Sequence, residues 1–249
     1  MSAQHETGQP SDHPHRRSFL MASGAITAMT FVGTGALSSI AYAQALTKAQ
    51  RDRLTPDDIL ALMKKGNKRF SSGKRANHDV LAQQRASAKG QYPAAILLTC
   101  IDSRASAETI LDLRIGDIFN SRVAGNVENS DILGSMEFAC KLAGAKVVLV
   151  MGHTACGAIK GAIDNAELGN LTGLLAKIKP AVAATTYTGE RTSKNYAFVD
   201  AVARKNVEIT MANIRNDSPV LAEMESKGTI KIAGAMYNLE TGVMDFFAA

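Results

Sequence analysis

The 249-residue sequence predicts an α/β fold, a central and mostly parallel β-sheet flanked by helices, with an N-terminal helical arm. Three observations carry this expectation. Residues 94–99 (AAILLT) and 146–151 (KVVLVM) are nearly continuous apolar runs, as expected of parallel strands covered on both faces. Segments with helical patterning alternate with strand-like ones from residue 94 onward, which is the sequence form of a parallel sheet with crossover helices. Thr55-Pro56-Asp57-Asp58 is a helix start that precedes the first strand, so its helix cannot be a crossover.

Residues 1–43 stand apart from this pattern. Arg16-Arg17-Ser18-Phe19-Leu20 is similar to a twin-arginine export signal, the following run to Ile40 is apolar but diluted by Gly, Ser and Thr, and Ala41-Tyr42-Ala43 is a small-x-small cleavage site. The expectation is export by the twin-arginine route to the periplasm or beyond, with the mature chain starting at Gln44 and no stable membrane anchor. A retained anchor is the alternative, because the run is just long enough to span a bilayer. Residues 44–249 are read as one catalytic domain.

The elements follow in order. Residues 45–90 read as amphipathic helices, with Thr55 as N-cap, Pro56 at the first helical position and the helix continuing to about Phe70. Ser72 and Gly73 end it, 79–90 is a further short helix, and this arm is expected to lie against the sheet or a second subunit. After the first strand, a helix starts at Ser106 and residues 117–123 form a strand leading into Ala124-Gly125-Asn126. Residues 129–144 are a helix with Ser130 as cap and Cys140 on its apolar side. A helix opens at Ala155 and Cys156, and a helical region over 171–227 is broken at Pro180, Gly189 and Pro219. Strands at 229–237 and 242–247 close the chain as an antiparallel pair.

Composition narrows the function classes. With 46% hydrophobic and 20% charged residues the chain is an ordinary globular one. Its 28 Lys and Arg are scattered among 23 Asp and Glu, and the net charge of +5 forms no basic run, which argues against nucleic acid as a partner. The 3 cysteines all lie between residues 100 and 156, which argues against a disulfide framework.

Both apolar strands run into metal-ligand chemistry. Cys100-Ile101-Asp102-Ser103-Arg104 follows the first, and His153-Thr154-Ala155-Cys156-Gly157 follows the second. Ligand sites in open α/β sheets form beyond the carboxyl ends of the strands, so Cys100, His153 and Cys156 are expected in one place. Two thiolates and an imidazole select zinc, one ion per chain, and three protein ligands with an open position are the catalytic pattern. Cys140 has no ligand partner near it on its helix and reads as core.

Cys-x-Asp-Ser-Arg followed by Gly-His-x-x-Cys-Gly strongly resembles the β-class carbonic anhydrases. Arg122-Val123-Ala124-Gly125-Asn126 resembles that family's Arg-Asn-x-Ala-Asn stretch, and Gly234-Ala-Met-Tyr237-Asn-x-x-Thr-Gly242 its C-terminal strand pair. The resemblance, over roughly residues 50–248, implies a zinc enzyme that interconverts carbon dioxide and bicarbonate, working as a homodimer or higher homo-oligomer. It implies Cys100, His153 and Cys156 as metal ligands, Asp102 and Arg104 as the catalytic dyad, and Asp102 as a conditional fourth ligand. It also implies a substrate pocket of Gln91, Phe119, Phe138 and the Gly157 backbone N–H. Phe138 and Gly125 depart from the residues common at those positions, and Leu97 lacks the tryptophan that marks members with an allosteric bicarbonate site.

The chemistry agrees with this. Zinc lowers the pKa of a bound water so that hydroxide exists near neutrality. Two thiolates leave the donor set formally neutral and weaken that pull, so ionisation is expected above neutrality. Asp102 would orient the hydroxide while Arg104 keeps the carboxylate off the metal. Two other readings share these residues: a hydrolase of carbonyl sulfide or carbon disulfide, and a non-catalytic zinc protein in which Asp102 closes the fourth position.

Overall fold

The computed structural model describes residues 45–247, so the export signal expected over 1–43 and the cleavage point before Gln44 lie outside the described residues. The chain runs α1 (Lys48–Arg53), α2 (Pro56–Ser71), α3 (Val80–Ser87), β1 (Ala95–Thr99), α4 (Ala107–Ile110) and β2 (Ile118–Arg122). A short 3-10 turn (Ala124–Asn126), α5 (Ser130–Glu137), a π-turn (Phe138–Leu142) and β3 (Val147–His153) come next. The remainder is α6 (Gly157–Ile163), α7 (Gly169–Ala176), α8 (Lys179–Ala184), α9 (Tyr196–Asp217), α10 (Pro219–Ser226), β4 (Lys231–Tyr237) and β5 (Met244–Phe247).

The sheet order is β2-β1-β3-β4-β5, with the first four strands parallel and β5 antiparallel to β4. Every residue of β1 and β3 is buried, because alternate side chains feed two cores. Ile96, Leu98, Val148 and Val150 pack with Met136, Ile159, Phe198 and Val202 from the helices on one face. Leu97, Val147, Leu149 and Met151 pack with Ile59, Met63, Ile110 and Leu111 on the other. Burying each such side chain contributes about 1.5–3 kcal/mol, so neither face of these strands tolerates polar residues and the runs are continuous rather than alternating.

The arm lies against its own sheet. Thr55 and Asp58 form a reciprocal cap, the Asp58 N–H donating to Thr55 Oγ1 at 3.1 Å and the Thr55 N–H to Asp58 Oδ2 at 2.9 Å. Gly66 meets the loop after α4 so closely that an added Cβ would stand 1.8 Å from Leu111 O. Asn67 then joins three elements, donating to Ile110 O (3.1 Å) and Gly242 O (2.9 Å) and accepting from Met244 N (2.8 Å).

Two details differ from expectation. The cap of α5 is Asn129, whose side chain accepts from Ile132 N at 2.9 Å, and Ser130 is the first helical residue. The helix expected over 129–144 widens into the π-turn at Phe138, while Cys140 sits in the core as expected, its thiol pushed up to about 12 by burial. The helical region over 171–227 is broken at Pro180, Gly189 and Pro219 as expected, the two prolines opening α8 and α10, where a residue without an N–H costs nothing in a first turn. None of the described helices is long and apolar enough to cross a membrane.

Candidate metal centre

After β1 the chain crosses to β2 on one side, and β3 lies on the other, so the sheet order reverses between β1 and β3. A crevice opens beyond their carboxyl ends at such a reversal. Thr99 is in register with Met151 there, and Cys100 follows β1 while His153 ends β3. Cys156 sits at the N-cap of α6. The ligand atoms of Cys100, His153 and Cys156 all lie within 4.8 Å of one another, and all three residues are buried.

Hydrogen bonding fixes how each donor points. His153 Nδ1 lies 2.9 Å from Thr154 O, and a carbonyl only accepts, so Nδ1 carries a proton and Nε2 is the nitrogen that holds the lone pair in the neutral ring. That Nε2 is buried with no hydrogen-bond partner, a costly state that a metal ion would relieve. The two sulfurs are 4.0 Å apart. The Cys100 thiol is drawn well below the usual range, mainly by the Cys156 thiol and against the effect of burial, with His153, the Gly125 N–H (3.4 Å) and the Asp102 N–H adding to it. Cys156 is pushed up because a second negative charge beside Cys100 in a buried site is unfavourable. Burial opposes charge on His153, yet the Cys100 sulfur, Thr154 O and Asp102 outweigh it and raise its pKa. The crevice therefore favours positive charge among its three donors, and soft thiolates with imidazole suit zinc.

Asp102 borders this cluster. Its Oδ1 accepts from Arg104 Nε and N (3.0 Å each), its Oδ2 from Arg104 Nη2 (2.8 Å), and Oδ2 lies 3.9 Å from His153 Nε2. The bidentate guanidinium is the main cause of an Asp102 pKa pulled down to about 2. Arg122 fastens the same loop, its Nε donating to Cys100 O (2.9 Å) and its Nη2 to Asp102 O (2.6 Å).

Left-handed residues shape the crevice. Gly125 has φ +73°, a region that favours glycine, and a Cβ on it would also stand 2.5 Å from Ile178 Cδ1. Asn206 Nδ2 donates to Gly125 O at 2.7 Å and fixes that turn. Ala155 has φ +54°, and its N–H donates to Asp200 Oδ1 at 2.8 Å. Arg122 was expected only as part of a motif, and Asp200 and Asn206 were missed. A polar Asn within the buried stripe of Val199, Val202, Ala203 and Val207 is a signal that would have found Asn206; no sequence signal marks Asp200.

Gly157 opens α6 beside Cys156, exposed and with open space where a Cβ would stand. The other expected pocket residues lie elsewhere in the chain. Gln91 is exposed beyond the amino end of β1, lining a surface hollow with Ser87, Lys89 and Gly116, so the nine residues to Cys100 traverse the sheet. Phe119 is in register with Ile96, four residues before Cys100, or about 13 Å along the strand. Its ring meets Phe138 edge-on at 6.2 Å, and both line an open hollow of about 510 Å³. One chain thus gathers Cys100, Asp102, Arg104, His153, Cys156 and Gly157, and leaves Gln91, Phe119 and Phe138 away from them.

Fold and crevice together define an α/β protein with a two-thiol, one-imidazole centre at the switch point of a parallel sheet. The family model described as carbonic anhydrase matches residues 95–244, and the chain belongs to that family, in its β class. Carbonic anhydrase 2 of Mycobacterium tuberculosis is 34% identical over 182 residues, covering 72% of this chain and 87% of its own. Carbonic anhydrase of Mycolicibacterium smegmatis is 31% identical over the same shares. Among solved structures, the β-carbonic anhydrase CafA of Aspergillus fumigatus superposes with a TM-score of 0.58 at 26% identity, covering 77% of this chain and 89% of that one. A tetrameric β-carbonic anhydrase of Sordaria macrospora gives 0.57 at 25% identity, over 65% and 84%.

Proposed function

We propose that this carbonic anhydrase holds one zinc ion on Cys100, His153 and Cys156 and catalyses the reversible hydration of carbon dioxide to bicarbonate and a proton. The observation that carries the reading is the convergence of three buried donors beside an intact Asp102–Arg104 pair. Zinc bound there supplies an acidified water as nucleophile. The protein's own groups supply the rest. Asp102, with a pKa near 2, stays ionised and stores no proton at neutral pH, so it serves as a fixed acceptor that orients a hydrogen-bond donor in the crevice. Arg104 occupies both carboxylate oxygens and holds Asp102 back from the donor cluster. Gly157 presents its backbone at the open side, where no side chain fills the space.

Gln91, Phe119 and Phe138 are read as substrate walls contributed by a second copy of the chain, which accords with an exposed Phe138 and a homo-oligomer. Arg16-Arg17 and Ala41-Tyr42-Ala43 support export to the periplasm or beyond. Stopped-flow hydration of carbon dioxide by the zinc-loaded mature protein tests the activity. The neutral two-thiolate donor set predicts a rate that rises from about pH 7 to about 9. Protein with stoichiometric zinc and no hydration above the buffer rate would overturn the reading.

A further inference from the structure

We propose that Asp200 is a positioning residue for the metal centre. Its hydrogen bond to the Ala155 N–H holds the turn between His153 and Cys156 in the left-handed bend that lets both side chains converge on Cys100. The inference rests on the reading of those three residues as zinc ligands.

The argument starts from Ala155. The non-glycine residues with positive φ among those described are Asp112, Asn126, Ala155 and Asn165. Asp and Asn tolerate the left-handed region because a short polar side chain bonds the local backbone, and alanine has no such means. Something outside the turn must hold Ala155 at φ +54°. Asp200 is that group, with Oδ1 2.8 Å from Ala155 N although it lies 45 residues further along the chain.

The neighbouring residue is fastened from elsewhere. Thr154 N donates to Tyr237 O at 3.0 Å, and Thr154 Oγ1 accepts from Leu239 N at 3.0 Å. With His153 at the end of β3 and Cys156 at the start of α6, the backbone at Ala155 sets how the two ligands face each other. A metal site tolerates only a few tenths of an ångström in donor position, so relaxing one dihedral pair between two ligands weakens binding.

Asp200 is well anchored for this task. It sits on α9, the helix that also holds the opposite wall of the crevice, through Asn206 Nδ2 to Gly125 O (2.7 Å) and Thr210 Oγ1 to Asn126 O (3.4 Å). One rigid helix thus ties both turns that border the donors. Asp200 is half-buried beside Lys160, whose ammonium stands 3.9 Å over the Tyr196 ring.

The test is zinc affinity by chelator competition on the full mature protein, with absorption spectra of the cobalt-substituted form beside it. Asp200→Ala should weaken zinc about 10- to 100-fold, as losing an outer hydrogen bond to a ligand-bearing segment does, and should shift the thiolate-to-cobalt bands. Asp200→Asn keeps an acceptor oxygen and the shape, and should stay within about threefold of the parent. Adding Ala155→Gly to Asp200→Ala should recover most of the loss, because glycine adopts the left-handed bend unaided. Unchanged affinity in Asp200→Ala would overturn the inference. So would Asp200→Asn as weak as Asp200→Ala, or a double variant that recovers nothing. A parent protein that holds no zinc would overturn the ligand reading and this inference with it, whereas a zinc-holding parent beside an indifferent Asp200→Ala overturns the inference alone.

Discussion

Two buried polar clusters in this chain look alike by composition and differ in what their atoms lack. One is the crevice of Cys100, His153 and Cys156. The other joins the arm to the loop after α4, where buried Asp112, itself left-handed at φ +49°, accepts from Arg69 Nε (2.6 Å), Ala76 N (3.1 Å) and His78 Nε2 (2.8 Å). In that junction Ile115 N–H donates to Gln83 Oε1 (3.2 Å), so Gln83 Nε2 must donate to His78 Nδ1 (3.1 Å) and His78 Nε2 to Asp112. None of its buried side-chain polar atoms lacks a partner, whereas His153 Nε2 in the crevice does. A saturated cluster holds elements together. A cluster whose donors converge on one point without saturating each other is built to receive something.

Mutation should separate the two, and the largest effect belongs to the crevice. Cys156→Ser should cost the metal and at least about a thousandfold in hydration rate, because an alcohol is a poor zinc ligand at neutral pH. Zinc analysis beside the assay checks it, and full metal content in the variant would erase the distinction. Asp102→Asn comes next, with a rate loss of about a hundredfold at retained zinc. Its folded pKa near 2 lies below the ordinary 3.8, so the Asp102–Arg104 pair is fully charged above about pH 4 and is lost only as pH falls through 2. The rate deficit of the variant should therefore be constant between pH 7 and 9, and a deficit confined to one end of that range would contradict this role.

The junction should answer in stability instead. Asp112→Ala removes the buried carboxylate that accepts from Arg69 Nε, Ala76 N and His78 Nε2, and should cost about 3 kcal/mol in chemical denaturation while zinc affinity stays unchanged. Gly125→Ala is the smallest, about 1–3 kcal/mol, from the clash with Ile178 and an unfavourable φ. Because the Gly125 N–H also faces Cys100 Sγ, this substitution should weaken zinc modestly as well, so it places one residue in both categories.

How far the sequence anticipates these clusters follows from the range of the forces. Continuous burial writes β1 and β3 directly into residues 94–99 and 146–151, and local capping writes α2 into Thr55, Pro56 and Asp58. Cys100, His153 and Cys156 are legible because strand ends and ligand chemistry coincide. The Asp200 bond spans 45 residues between a surface-like acid and a backbone amide, and nothing in local pattern encodes it. Gln91 shows the opposite relation: nine residues is a short distance in sequence and the length of a strand in space, so Gln91 and Cys100 of one chain lie at opposite ends of β1. The π-turn at Phe138 also escapes, since its residues continue a helical pattern and only packing decides the wider turn.

The central claim is that two sulfurs and one imidazole of this chain hold a zinc ion with a position left open. X-ray absorption at the zinc edge, on the purified protein and on Cys156→Ser, tests it most directly. One zinc per chain with two sulfur and two lighter neighbours in the parent, and loss of the ion or of one sulfur in the variant, is the predicted result. A zinc shell with no sulfur, or one that Cys156→Ser leaves unchanged, would contradict the account.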